Sequence, residues 1–210
     1  RADDDPHAVG ARREEREPHL ARVAGRDRAE EELKRRGEVV PLDKATLLAP
    51  IPQPPQMRDF LCFEKHLVQA FKAIGREPPQ AWYERPIFYH PSRFSVCGTG
   101  ADVPWPAYTQ KLDFELEFGC YIGKPGKDIP KERAREHIFG YTIFNDFSAR
   151  DEQSKEMAGQ LGPGKGKDFD NANSMGPCLV TADEIGDPYN LTMVVRVNGE
   201  EWRSEERRVG

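Results

Sequence analysis

Three carboxylates alternate along one largely apolar segment of the chain, KLDFELEFGCYIG, at residues 111–123. Successive side chains of a strand point to opposite faces, so Asp113, Glu115 and Glu117 share one face of the predicted strand. Carboxylates at this spacing, about 6.6 Å, repel one another unless water or a cation relieves them. The solvent-facing side of an antiparallel strand explains the pattern if the segment is taken alone. Because the strand continues into an apolar stretch, a buried carboxylate row would instead require a metal ion.

A fourth carboxylate lies at the end of a second predicted strand, in YTIFNDFSARDEQ at residues 141–153. This strand ends at Asp146, the chain turns through Ser148, and a helix opens with Arg150 and Gln153. Polar groups at a strand end and on the following turn are a common way to build a site. Taken alone, an N-cap made by Asp146 or Ser148 explains the segment slightly better.

Two further segments carry residues that could take part in chemistry. MRDFLCFEKH places Asp59 on a predicted strand and His66 seven residues later. A lone histidine is more often packed or at the surface than a base. GKGKDFDNANSMGP places Lys165 and Lys167 in a glycine-rich loop that either covers a site or is exposed to solvent. Neither lysine is followed by Ser or Thr, so the loop lacks the nucleotide-binding pattern.

The composition of the 210 residues excludes several classes of protein. A net charge of −5 argues against a general nucleic-acid binder, which needs a surplus of Lys and Arg. No apolar run approaches the ~20 residues that cross a bilayer, so we expect no membrane partner. The four cysteines are widely spaced without a Cys-x-x-Cys pair, which indicates reduced thiols. Together these features predict a cytoplasmic protein.

The distribution of charged, proline and apolar residues predicts one folded domain of the α+β class, dominated by β-structure. Residues 1–45 form a charged helical or partly disordered segment, 46–56 a Pro-rich connector, 57–203 the catalytic domain and 204–210 a tail that looks non-native. We expect strands at residues 57–63, 87–96, 111–122, 139–145, 178–181 and 191–198, and helices at 66–74, 131–137 and 150–160.

In their order and wording these segments resemble the fumarylacetoacetate hydrolase family. The resemblance covers about residues 47–202 and is most specific in LDFELEFGCYIGK, GYTIFNDFSARDEQ and GPCLVTADEIGDPYNLTMVVRVNGEEW. It implies the mixed β-sandwich or roll of that family, with short helices. It also implies a divalent cation, Mg²⁺ or Ca²⁺ with Mn²⁺ possible, bound by Asp59, Glu115, Glu117 and Asp146. An all-oxygen ligand set of this kind favours hard cations over zinc.

The resemblance also implies roles for residues around the metal. His66 corresponds to the general base, Lys167 and Gln153 to the other catalytic residues, and Tyr89 to a substrate-side tyrosine. Arg150 is expected to bind substrate, although it could face the site or pair with Asp151.

The implied activity is hydrolysis of a carbon–carbon bond in a small β-dicarbonyl acid resembling fumarylacetoacetate or an acylpyruvate, as in the catabolism of aromatic compounds. The alternatives are decarboxylation or isomerisation of a related oxo-acid, or an inactive metal-binding fragment. The family also implies a homodimer for the full-length protein.

The sequence departs from the family pattern at three places. Gln69 occupies a position where some acylpyruvate-cleaving members carry a glutamate that pairs with the histidine, and Met157 replaces a substrate-contacting tyrosine. After the predicted hairpin at Asn198-Gly199 the chain ends as RSEERRVG, a charged run without strand character. We therefore expect the C-terminal strands of the family to be missing, as in a truncated reading frame. Residues 1–45 also lack the small β-domain of many members.

Overall fold

The computed structural model describes residues 31–37 and 39–206 of the chain. Most of the predicted N-terminal segment therefore lies outside the described residues. Within it, residues 31–36 form an exposed helical turn and Leu42–Lys44 form one 3-10 turn. The chain divides into two units, Arg1–Thr46 and Leu47–Gly210. None of the described residues belongs to a helix that could cross a membrane.

The second unit is rich in short strands. Its strands among the described residues are β1 (Asp59–Phe60), β2 (Phe88–Tyr89), β3 (Val96–Cys97), β4 (Leu112–Asp113), β5 (Glu117–Ile122), β6 (Ile138–Asp146), β7 (Ser148–Ala149), β8 (Asn173–Thr181), β9 (Thr192–Val197) and β10 (Glu200–Glu206). Its α-helices are α1 (Glu64–Ala73), α2 (Gln80–Glu84), α3 (Arg150–Ala158) and α4 (Ala182–Ile185), and its 3-10 helices are Lys131–His137 and Pro188–Asn190. This strand-rich architecture with short helices agrees with the predicted α+β class.

A four-stranded sheet of order β3-β8-β6-β5 forms the centre of this unit. β6 pairs antiparallel with both β5 and β8, whereas β3 lies parallel to β8. Phe144 of β6 packs with Met175 of β8 and with Ala49 in one buried cluster. Glu117 pairs with Phe144, and Asp146 pairs with Asn173. The first residue of β5 and the last residue of β6 therefore lie at the same edge of the sheet.

Two short antiparallel pairs add further polar residues. β1 pairs with β2 so that Asp59 lies opposite Tyr89. β4 pairs with β7 so that Asp113 lies opposite Ser148. Within β7, Ala149 packs in a second buried cluster with Phe169 and Ala172. These pairings bring segments that are distant in sequence to the ends of the central strands.

The strand predicted at 111–122 is interrupted, and this is a correction. Residues 114–116 are not in a strand, and β4 and β5 pair with different partners. The backbone N–H of Glu115 donates to the side-chain Oδ1 of Asn145 at 3.1 Å. A side chain from the end of β6 therefore replaces the regular backbone ladder at this point.

Other predicted boundaries also differ. The strand expected at 87–96 is two separate pieces on either side of Pro91, whose nitrogen cannot donate to a ladder. The predicted helix at 131–137 is a 3-10 helix, and α2 was not predicted. β8 begins at Asn173, five residues before the predicted start.

The last strand continues where no strand character was expected. β10 extends to Glu206, and its residues Ser204 and Glu206 pair with Val194 and Thr192 of β9. The hairpin predicted at Asn198-Gly199 is present, with positive φ at both residues. Backbone pairing with β9 is indifferent to the charge of the side chains, which explains why the charged composition of the segment was misleading.

Candidate metal centre

Four carboxylates from four different segments converge at one edge of the central sheet. They are Asp59 of β1, Glu115 between β4 and β5, Glu117 at the start of β5 and Asp146 at the end of β6. Each offers one oxygen, and these oxygens all lie within 4.8 Å of one another. Asp146 is fully buried and the other three are partly buried. The structure thus brings together all four predicted metal ligands.

Asp113 does not join this cluster, although the strand pattern placed it on the same face as Glu115 and Glu117. It is exposed on β4, where its Oδ2 accepts from Nε of Arg150 at 2.7 Å. The break at residues 114–116 separates Asp113 from the two glutamates. The alternation argument fails at Asp113 because it assumed one continuous strand.

A buried lysine neutralises part of the negative charge. Nζ of Lys167 lies 2.6 Å from Oδ2 of Asp146 and 2.9 Å from Oε2 of Glu115, and the side chain is only 2% exposed. On the other side of Glu115, a guanidinium nitrogen of Arg150 lies 2.5 Å from Oε1. Burying four carboxylates is costly unless cations pair with them, and Lys167 and Arg150 supply two.

The pKa values of the carboxyl groups reflect this uneven compensation. Burial and the charges of Asp59 and Asp146 raise the pKa of Glu117 to about 10. Burial also raises the pKa of Asp146 to about 7, against the opposing effect of Lys167. At Glu115 burial acts in the same direction, but Lys167 and Arg150 outweigh it and the pKa falls to about 2. The four carboxyl groups therefore resist full ionisation, and a bound divalent cation would offset the repulsion between the ionised groups.

The arrangement at Asp146 fits a bound cation. Its Oδ2 accepts hydrogen bonds from Lys167 and from the Tyr89 hydroxyl. Its other oxygen, Oδ1, is buried and has no hydrogen-bond partner among the described residues. A buried oxygen without a partner is costly, and a cation would satisfy it. Because all candidate ligands are carboxylate oxygens, the site suits Mg²⁺, Ca²⁺ or Mn²⁺ better than Zn²⁺.

Tyr89 faces this cluster from β2. Its hydroxyl donates to Asp146, and its ring lies 6.0 Å from Nζ of Lys167. Burial, together with the charges of Asp146 and Asp59, raises the pKa of Tyr89 well above its usual value. The hydroxyl therefore stays protonated and acts as a donor. Its role in binding substrate stays a prediction.

Helix α3 carries two of the predicted site residues. Arg150, in its first turn, bonds Asp113 and Glu115 and also donates to Oε1 of Gln153 at 3.2 Å. Asp151 instead accepts from the backbone of Gln110 at 3.0 Å. The open question about Arg150 is answered, because it pairs with the acidic segment and not with Asp151. The substrate-binding role of Arg150 and the catalytic role of Gln153 stay predictions.

His66 lies apart from these contacts. It is exposed in the first turn of α1, and its ring makes no hydrogen bond within the part of the chain that the structure describes. Gln69 is exposed on the same helix, and Met157 is exposed near the end of α3. The structure thus does not place His66 in hydrogen-bond contact with the carboxylates, and its role as a base stays a prediction.

Sequence reasoning missed Asn173, which lies opposite Asp146 in the β6–β8 pairing. Its side chain is fully buried, and Nδ2 donates to Oγ of Ser95 at 2.6 Å. The Ser95 hydroxyl itself donates to the carbonyl of Ser92 at 3.0 Å, which fixes the orientation of the amide. Oδ1 of Asn173 is left without a partner among the described residues. Asn173 could have been found from the sequence only if β8 had been predicted to begin there and not at residue 178.

Sequence reasoning also missed Glu156, one turn beyond Gln153. Its carboxylate accepts hydrogen bonds from the glycine-rich loop that carries Lys167. Gln153 is three residues from both Arg150 and Glu156 along α3, so it neighbours each of them on the helix surface. That spacing was the available signal.

Comparisons with known proteins agree with this geometry. The family model described as "Fumarylacetoacetate (FAA) hydrolase C-terminal" matches residues 56–208. Among curated proteins, oxaloacetate tautomerase FAHD2A, mitochondrial, of Homo sapiens is 35% identical over 162 residues, which cover 77% of this chain and 49% of that protein. The chain therefore spans about half the length of the curated relatives it matches.

Two solved structures are similar to the fold. One is 5-carboxymethyl-2-hydroxymuconate delta-isomerase from Mycobacterium smegmatis, with a TM-score of 0.63 and 29% identity over 79% of this chain and 58% of that one. The other is fumarylpyruvate hydrolase from Pseudomonas aeruginosa in complex with Mn²⁺ and pyruvate, with a TM-score of 0.55 and 29% identity over 64% of this chain and 57% of that one. The predicted resemblance and fold class are confirmed.

Proposed function

The chain belongs to the fumarylacetoacetate hydrolase family. We propose that it forms the catalytic part of a divalent-metal enzyme that interconverts the keto and enol forms of a small 2-oxo dicarboxylic acid such as oxaloacetate. The observation that carries this proposal is the set of four carboxylate oxygens within 4.8 Å of one another, with the buried ammonium of Lys167 at 2.6 Å from Asp146. Enolisation releases a proton from the carbon beside the 2-oxo group to solvent and develops negative charge on the oxygen, and this arrangement stabilises that charge. The tautomerase relative supports the choice of substrate class.

The carboxylates of the centre and Lys167 have different parts in this chemistry. Asp59, Glu115, Glu117 and Asp146 would hold the cation, which when bound supplies Lewis acidity toward the oxygens of the dicarbonyl. Lys167 supplies a positive charge that stabilises the negative charge developing on a substrate oxygen.

That charge on Lys167 persists although the residue is buried. Burial alone lowers the pKa of the ammonium, but Asp146 and Glu115 outweigh burial and raise it. Lys167 therefore remains protonated and acts as a fixed charge, not as a base. Tyr89 donates to Oδ2 of Asp146 and leaves Oδ1 free to face a cation.

Hydrolysis of a carbon–carbon bond is the second candidate. It requires a base that activates water within hydrogen-bond reach of the substrate, and His66 is exposed and unbonded to the carboxylates. Catalytic contacts often tighten only when substrate binds, and this candidate would use His66 as its base. The similarity to fumarylpyruvate hydrolase supports this candidate. Decarboxylation or another isomerisation of an oxo-acid would use the same cation and Lys167.

The two candidates are separated by assaying the purified chain with Mn²⁺, Mg²⁺ or Ca²⁺. Ketonisation of enol-oxaloacetate is followed by its ultraviolet absorbance, and cleavage of an acylpyruvate by release of pyruvate. We expect metal-dependent acceleration of ketonisation that is lost in Glu117→Gln and retained in the surface control Glu201→Gln. Pyruvate release without acceleration of ketonisation would make hydrolysis the function, and no metal-dependent turnover of either substrate would contradict both.

A further inference from the structure

The loop at residues 159–168 has to bring Lys167 to the carboxylates although it is rich in glycine. Glycine loses more backbone freedom on folding than any other residue, so a specific loop conformation needs specific contacts. The carboxylate of Glu156 provides three of them. Its Oε1 accepts from the N–H of Lys165 at 2.6 Å, and its Oε2 accepts from Gly164 and Gly166 at 3.1 and 3.0 Å. One side chain therefore holds three consecutive backbone amides.

These amides lead directly to Lys167. The N–H of Lys167 donates to the carbonyl of Gly164 at 2.9 Å, so the turn bound by Glu156 is the turn that ends at Lys167. On the other side of that turn, the carbonyl of Gly166 accepts from the N–H of Ala149 at 2.8 Å. The backbone of the loop is thereby fixed between α3 and β7, immediately before the lysine.

The close approach of loop and helix requires a glycine at 166. A Cβ atom at this position would come within 2.7 Å of the backbone nitrogen of Gln153. The loop therefore packs directly against the first turns of α3, within reach of Glu156. The Glu156 contacts to Gly164 and Gly166 are partly buried in this packed arrangement, whereas the contact to Lys165 is exposed.

Removing the Glu156 carboxylate would leave the three amides without their acceptor. Hydrogen bonds to an ionised acceptor are stronger than neutral ones, and buried donors left unpaired are costly. The three N–H groups outweigh the effect of burial and lower the pKa of Glu156, so the acceptor is ionised at neutral pH. Without it we expect the loop to reorganise toward water and Lys167 to move away from Asp146 and Glu115.

We propose that Glu156 is a positioning residue that holds Lys167 at the carboxylate centre through the backbone of the glycine-rich loop. Glu156 touches no carboxylate of the centre in the described contacts and acts only through Lys167. The effect on turnover rests on the function proposed above, whereas the effect on the location of Lys167 does not.

The location of Lys167 is tested by labelling lysines with an amine-reactive acylating reagent and measuring each peptide by mass spectrometry. In the unmodified chain, Lys167 is protected because it is 2% exposed. In Glu156→Ala we expect Lys167 to be labelled at least roughly tenfold faster, because local opening is no longer opposed. The matched control is Glu152→Gln, which changes a glutamate of the same helix that pairs with Lys155 at 2.6 Å.

Turnover provides the second measurement. Misplacement of a charged group by about 1 Å can cost roughly 10²-fold, so we expect Glu156→Ala to lower kcat by about that factor with little change in KM. Glu156→Gln keeps the shape and one acceptor oxygen, and we expect partial rescue of both protection and kcat. Each variant is first checked for cooperative unfolding, and Glu156→Gln alone decides the test if Glu156→Ala does not fold.

Lys167 labelling in the folded variants that stays within about twofold of the unmodified chain would overturn the proposal, whatever happens to turnover. Faster labelling of all lysines, with no preference for Lys167, would overturn it as well, because that result indicates general destabilisation. Faster labelling confined to Lys167 with unchanged kcat would support the positioning role and refute the proposed part of Lys167 in catalysis.

Discussion

Replacing Lys167 with methionine removes a buried positive charge while keeping most of the volume of the side chain. Its Nζ lies 2.6 Å from Asp146 and 2.9 Å from Glu115. With an effective dielectric constant of about 20, Coulomb's law gives roughly 6 kcal/mol for each contact before any desolvation cost. Desolvation offsets much of this, and breaking one side of a buried ion pair typically costs about 3–5 kcal/mol. We therefore expect the metal-free Lys167→Met chain to lose about 3 kcal/mol of unfolding free energy.

A divalent cation should reverse much of this loss. Without the ammonium of Lys167, the four carboxylates keep more uncompensated negative charge, so a cation bound among them relieves more repulsion. A ligand at about 100 times its Kd adds roughly 2.7 kcal/mol to the unfolding free energy. We expect Mn²⁺ to stabilise Lys167→Met more than it stabilises the unmodified chain.

The assay is urea unfolding with and without Mn²⁺, followed by circular dichroism. Lys155→Met is the matched control, because Lys155 forms an exposed ion pair with Glu152 at 2.6 Å. Such surface pairs contribute about 0–1 kcal/mol. The reasoning would be refuted if Lys167→Met lost no more than Lys155→Met without metal, or if Mn²⁺ stabilised both variants equally.

Two further predictions concern Glu117 and His66. The pKa of Glu117 is raised from 4.5 to about 10 in the folded chain. Between these pH values the group loses its proton in the unfolded chain but keeps it in the folded chain, so its contribution to the free energy of unfolding falls as pH rises. Glu117→Gln should therefore stabilise the metal-free chain at pH 7 but not near pH 4, and it should remove the stabilisation by Mn²⁺; a destabilised metal-free variant at pH 7 would contradict this. His66→Ala should leave Mn²⁺ affinity unchanged by calorimetry, and it should lower any acylpyruvate hydrolysis by ~10²–10⁴-fold. Unchanged hydrolysis would exclude His66 as the base.

The convergence of the four carboxylates was predicted from the resemblance to the family, because the local patterns alone favoured a solvent-facing strand and a helix N-cap. Glu115 and Glu117 lie close to a strand start, and Asp146 ends a strand that pairs with it. Asp113 was misplaced because the strand breaks where Asn145, 30 residues away, binds the backbone of Glu115. A side chain that takes the place of a backbone ladder leaves no periodic trace in the sequence.

The partners of Arg150 and Glu156 could not be derived from local sequence. Arg150 reaches Asp113, 37 residues away, because β4 pairs with β7. Glu156 reaches amides in a loop whose path depends on the close approach of Gly166 to α3. A long side chain can reach several partners, and the tertiary structure determines which of them lies within hydrogen-bond distance. Asn173 was missed for a related reason, since the start of β8 carries few of the apolar residues that mark a strand.

The most direct test of the metal centre is a crystal structure of the chain soaked with Mn²⁺, with anomalous scattering measured for manganese. We predict one strong anomalous peak at ~2.0–2.6 Å from oxygens of Asp59, Glu115, Glu117 and Asp146, with Oδ1 as the Asp146 ligand. The same soak of Glu117→Gln should show a weaker peak or none. The account would be contradicted if a soaked crystal of the chain without substitutions showed no peak among these four carboxylates, or its strongest peak at the exposed Asp113.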